Sequence, residues 1–207
     1  MKKLVAIAIA LFSLSAVFSQ EMDDKPDALN MYRQGQYKDA IAVCLKELEE
    51  TPRNMNSYAV LGWSYIASRE YGEALSSAQK ALEISRYDNR IIEILGEAYY
   101  YLGKNLEAIR WFEEYTVLSG TGDRIHLAYF FLGELFIRIG EYNHADIALT
   151  TAVYHNPNTA RWWARLGYAR EMAKDYSHSL LAYEEALKLN SALSEAVRGK
   201  ERVQELL

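Results

Sequence analysis

Residues 58–65 read YAVLGWSY, and close variants return as IEILGEAY at 92–99, YFFLGELF at 129–136 and WARLGYAR at 163–170. The Leu-Gly pairs inside them, Leu61-Gly62, Leu95-Gly96, Leu132-Gly133 and Leu166-Gly167, stand 34, 37 and 34 residues apart. A fixed period of this length marks an array of small units that bury their apolar faces only by stacking. Within one unit, Tyr58, Leu61, Gly62 and Tyr65 share one stripe of a helix. After a turn, Tyr71, Ala74, Ala78 and Ala81 make a second stripe, so each unit predicts two antiparallel helices. A glycine inside a helix costs about 1 kcal/mol relative to alanine. Four glycines at equivalent places therefore predict that a second backbone passes close by, with Ala40, Ala74, Ala108 and Ala145 as its small residues.

The run aromatic-x-x-Leu-Gly-x-x-Tyr, then Ala-x-x-x-Phe, then Pro resembles the tetratricopeptide repeat. The third unit carries Ile92, Leu95, Gly96, Tyr99, Gly103, Ala108 and Phe112. The fourth carries Tyr129, Leu132, Gly133, Phe136, Gly140, Tyr142, Ala145, Ala152 and Pro157. In the fifth, Trp163, Leu166, Gly167, Tyr176, Tyr183 and Ala186 fit, but Arg170 and Ser179 depart from the pattern. The first fits through Gly35, Tyr37, Ala40 and Pro52, with Asp24, Asp27 and Ala28 where the motif has an aromatic, leucine and glycine. The resemblance implies an all-α, right-handed superhelical solenoid of five units, 21–54, 55–88, 89–122, 126–159 and 160–193. Residues 194–207 read as a capping helix, with Ala196, Val197, Val203 and Leu206 inward and Arg198, Lys200, Glu201 and Glu205 outward. Three extra residues near Ser119–Arg124 break the period and predict a longer turn.

Residues 1–19 have another character: Lys2 and Lys3 precede an apolar run from Leu4 to Phe18. The run is shorter than the roughly 20 residues of a membrane span, so it resembles a cleaved bacterial secretory signal. The expected location is the periplasm or the exterior, without stable membrane insertion after cleavage.

The chain holds 23 basic and 28 acidic residues; without Lys2 and Lys3 the balance is 21 to 28, a net charge of −7. Nucleic acid and anionic membrane surfaces, which need clustered Lys and Arg, are disfavoured as partners. The lone Cys44 is expected to be a buried, inert core filler. Histidines 126, 144, 155 and 178 lack metal-ligand spacing, and His144 and His178 fall at equivalent places on successive units. Gly120-Thr121-Gly122 lacks the glycine-lysine of a phosphate loop. Nucleophile elbows, paired-cysteine zinc motifs and calcium loops are missing from the sequence. The expectation is a non-catalytic chain without cofactor or metal.

In the tetratricopeptide family the first helix of each unit lines a concave groove, and residues one turn off the packing stripe face it. That resemblance assigns Asn56, Ala59, Trp63, Ile66 and Ala67, then Arg90, Glu93, Glu97, Tyr100 and Tyr101. It adds Leu127, Phe130, Glu134, Ile137 and Arg138, and finally Arg161, Ala164, Arg165, Tyr168 and Glu171. Tyr65 and Tyr99 belong to the core, Trp111 and Trp162 have no assignment, and alanine at Trp63, Tyr100 and Phe130 should leave melting nearly intact. Family members that grip acidic chaperone tails use a basic clamp. Here the clamp slots hold Ala59, Trp63, Ile94, Leu127 and Phe131, with Arg161 and Arg165 as the only matches. Glu93, Glu97 and Glu134 would repel such a tail. The expected function is an exported scaffold or adaptor that binds a peptide or helix of another protein in the groove. A carrier of a small apolar ligand serving an envelope transporter or assembly complex is the alternative, and self-association through the open end is a third possibility.

Overall fold

The computed structural model describes residues 26–120 and 122–207. The expected leader, residues 1–19, and the first residues of the first unit, 21–25, lie outside the described residues.

Eleven helices follow one another among the described residues: α1 Ala28–Arg33, α2 Tyr37–Glu50, α3 Met55–Ala67, α4 Tyr71–Ile84, α5 Asn89–Tyr101 and α6 Asn105–Leu118. The series continues with α7 Ile125–Arg138, α8 Tyr142–His155, α9 Ala160–Met172, α10 Tyr176–Leu189 and α11 Ser194–Gln204. They form sequential antiparallel pairs, stacked into an all-α solenoid. Local chemistry repeats with the helices. Asp27, Asn54, Asp88 and Asp175 cap their helices by accepting from backbone N–H groups of the first turn, which satisfies donors that the helix cannot.

The turn inside each pair is the same five times over. The N–H groups of Gln36, Glu70, Lys104, Glu141 and Asp175 each donate to the carbonyl five residues back, at 2.8–2.9 Å. This closure places the preceding residue in the left-handed region. Gly35, Gly103 and Gly140 fill it without strain, whereas Arg69 (φ 64°) and Lys174 (φ 65°) fill it with a side chain. Lys174→Gly is therefore expected to raise stability by about 0.5–1 kcal/mol, the relief of strain exceeding glycine's entropy loss; a urea midpoint comparison checks it.

The Leu-Gly glycines differ from the sequence expectation in one respect: a bulky side chain, not a second backbone, occupies their space. A Cβ on Gly96 would lie 2.9 Å from the ring of Phe112, and one on Gly167 would lie 2.8 Å from the ring of Tyr183; Gly133 meets Leu149 likewise. Each of these knobs sits sixteen residues beyond its glycine, on the second helix of the same pair. In the second pair that position is the small Ala78, and Ile94 of the next unit's first helix fills the gap over Gly62 instead. Phe112, Leu149 and Tyr183 are buried, so the glycine is a socket for a bulky core residue of its pair's second helix.

Cys44 is fully buried, and burial pushes its thiol up to about 12. At the far end α11 buries Ala196 and Val203 as expected, but Leu206 lies beyond the helix and is exposed. Gly199, to which the sequence reading gave no role, also packs against the Tyr183 ring.

Candidate functional site

The backbones of the first helices α1, α3, α5, α7, α9 and α11 approach one another in succession, whereas those of the second helices stand farther apart among the described residues. A stack close on one side and splayed on the other must curve, so the first helices form the concave wall.

Aromatic rings cover much of that wall. Trp63 lies 6.0 Å from Tyr32, Tyr100 meets Phe131 edge-on at 4.8 Å, and Phe131 stacks on the buried Phe112 at 5.0 Å. Tyr101 stacks on Tyr71 at 4.7 Å and is 44% exposed. Phe130 stacks at 4.8 Å on Trp162, which is buried. These rings support the wall as well as face the groove. Alanine at Trp63, Tyr100 or Phe130 therefore removes core contacts, contrary to the expectation of unchanged melting. Ala59 and Ala164, assigned to the groove by position, are sealed in the core.

Charge on the wall is layered. Arg124, the residue before α7, donates to Glu93 and, at 3.0 Å, to Glu97, both on α5. The Glu93 and Glu97 side chains are 4% and 10% exposed, while Arg124 is 41% exposed. Arg165 over Glu134 repeats the arrangement at 24% against 15%, and Arg202 over Glu171 at 49% against 11%. Arg90 joins Asp88 and also donates to Asn56 at 2.8 Å. The carboxylates thus form the floor, and the guanidiniums lie above them. Burial pushes the Glu97 carboxyl up to about 7, and the neighbouring Glu93 charge adds to it, with Arg124 opposing. Glu93 is raised by burial as well, again against Arg124.

Further along, Arg138 places its guanidinium carbon 3.8 Å from the Tyr100 ring centre and donates to the Tyr100 carbonyl at 3.2 Å. Tyr168 lies 5.1 Å below the Arg165 guanidinium. Arg161 is exposed, as is Asn56. At the α1 end of the wall a cavity of about 410 Å³, lined by Leu29, Ser57, Val60, Trp63 and Arg90 among others, opens beside the groove. There the Trp63 indole N–H is buried with no hydrogen-bond partner among the described residues.

Arg124 and Tyr32 were not assigned to the wall from sequence, and Phe131 was named only as the occupant of a clamp slot. The signal for Arg124 was the broken period. The turn before α7 spans six residues where the other turns between pairs have four, and α7 is one residue longer than α3, α5 and α9. At the place where Asn54 and Asp88 cap their helices, the insertion puts an arginine that reaches back to α5. His144 and His178 each pair with an acid three residues earlier, Glu141 and Asp175, at the start of α8 and α10. No group of three or more potential metal ligands occurs among the described residues, and no helix there is long and apolar enough to cross a membrane.

The curved stack of helical hairpins has the fold of solved tetratricopeptide-repeat structures. Residues 28–89 match the family model of the tetratricopeptide repeat. Anaphase-promoting complex subunit 3 of Schizosaccharomyces pombe is 26% identical over 164 residues, 77% of this chain and 24% of that protein. The chain thus spans about a quarter of that relative's length. Among solved structures, Pseudomonas aeruginosa PilF superposes with a TM-score of 0.75 at 16% identity, covering 86% of this chain and 80% of that one. YrrB, described as a tetratricopeptide-repeat protein with an unusual peptide-binding site, gives 0.70 at 18% identity, with 84% and 88% covered. Tetratricopeptide-repeat proteins are typically non-catalytic and bind protein partners.

Proposed function

We propose that the chain is a non-catalytic interaction scaffold that holds a segment of a partner protein against the wall formed by α3, α5, α7 and α9. The observation that carries this reading is the composition of the wall. Tyr100, Tyr101, Phe130 and Tyr168 are only part-covered, and they alternate with arginines held in place from below. Aromatic and arginine side chains, fixed before binding, are the usual energetic anchors of protein interfaces. The remaining residues assigned from sequence divide by depth. Asn56, Trp63, Arg90, Arg161 and Arg165 border the partner's path, while Glu93, Glu97 and Glu134 fix the arginines above them.

The composition of residues 1–19 supports placing this activity in a bacterial envelope, in the periplasm or outside the cell. Cell fractionation of the tagged full chain tests the location, and recovery in the cytoplasm alone would contradict it.

A photoreactive amino acid at Tyr101 or Arg161 should capture a protein partner in the native host. The same group at Val117 or Tyr154, exposed positions on α6 and α8, should capture little. Equal or stronger capture from the second helices would refute the groove.

A further inference from the structure

Arg138 lies over the part-buried Tyr100 ring, 3.8 Å from its centre. On the neighbouring α9, Arg161 is exposed one turn before Arg165, which holds Glu134. Arg138 and Arg161 have no carboxylate partner among the described residues. The inner wall of a chain with five more acidic than basic residues therefore presents two exposed arginines free of carboxylate partners among the described residues. Next to Tyr100, the rings of Tyr101 and Phe131 offer apolar surface.

Resting on the groove reading above, we infer that the partner segment is acidic, with carboxylate side chains on Arg138 and Arg161 and apolar side chains on the adjoining rings. Planar guanidiniums take carboxylates in paired hydrogen bonds. Their complementary charge would steer an acidic segment to this part of the inner wall. The sequence expectation that Glu93, Glu97 and Glu134 repel acidic ligands fails on geometry, since all three are covered and paired with arginines.

Fluorescence anisotropy with the full chain tests this. The probe is a labelled peptide of about a dozen residues alternating glutamate with leucine and phenylalanine, compared with a version carrying glutamine for every glutamate. At low salt the glutamate peptide should bind at least ~10-fold tighter, and added salt should erode that difference. R138E and R161E should each weaken it about 10-fold, and R110E on α6, an equal change in net charge, less than about 2-fold. Circular dichroism confirms that the variants are folded.

Equal affinity for the two peptides, with Tyr101 crosslinks to them retained, would overturn the acidic assignment and leave the groove reading intact. Binding of neither peptide at the groove, together with crosslinks confined to Val117 or Tyr154, would overturn both. Loss of binding on amidating the peptide's C-terminus would show recognition of a terminal carboxylate instead and also contradict the inference. So would tighter binding of an oligothymidylate of equal charge.

Discussion

Alanine at Arg124 is expected to lower the unfolding free energy by about 3 kcal/mol near pH 8, and by much less near pH 5. The substitution leaves Glu93 and Glu97 side by side, nearly inaccessible to water and without their shared cation. Two adjacent buried carboxylates cannot both stay ionised at modest cost, so one must take a proton. The sign follows from linkage. Glu97 in the folded chain titrates at about 7, above the unfolded value near 4.3. Its contribution to stability is therefore greatest below the unfolded value and is lost as pH rises through about 7. Removing Arg124 steepens that loss, and Glu97→Gln should flatten it in either background. Urea titrations at the two pH values measure both effects. An equal cost at both would mean that the carboxylates are solvated.

Valine at Gly167 is expected to be as damaging, at about 3–5 kcal/mol, because the Tyr183 ring already occupies the space that a side chain would need. The ring has no retreat. Gly199 also packs against it, and its hydroxyl donates to Glu171 at 2.6 Å. The new side chain must either displace a buried tyrosine or part α9 from α10. Gly72 supplies the control, since a Cβ on it would meet nothing within 4 Å; Gly72→Ala should gain up to ~1 kcal/mol from helix propensity. Thermal melts of the two variants should move in opposite directions. Similar shifts for both would remove the socket role.

The pairing of helices was legible because the Leu-Gly pattern combines period, helical spacing and an unfavourable residue that only packing explains. What touches the glycines was not legible. Phe112, Leu149 and Tyr183 recur sixteen residues beyond their glycines, but Ala78 interrupts the series, and only the folded chain shows Ile94 of the next unit taking over. The wall was legible as a set of positions through the family resemblance, which puts Asn56, Arg90 and Arg161 in one row and Trp63, Glu97 and Glu134 in another. Depth was hidden. Whether a glutamate repels a ligand or supports an arginine depends on a partner about 30 residues away, and Arg124 came from the stretch where the period fails. Insertions that break a repeat can supply such residues because they escape the constraint that fixes every other position.

Hydrogen exchange of the chain, free and with the partner captured from Tyr101, tests the inner-wall account most directly. Slowed exchange concentrated in α3, α5, α7 and α9, strongest around Tyr100 and Arg138, is the expected result. Slowing confined to α4, α6, α8 and α10, with the first helices unchanged, would contradict it.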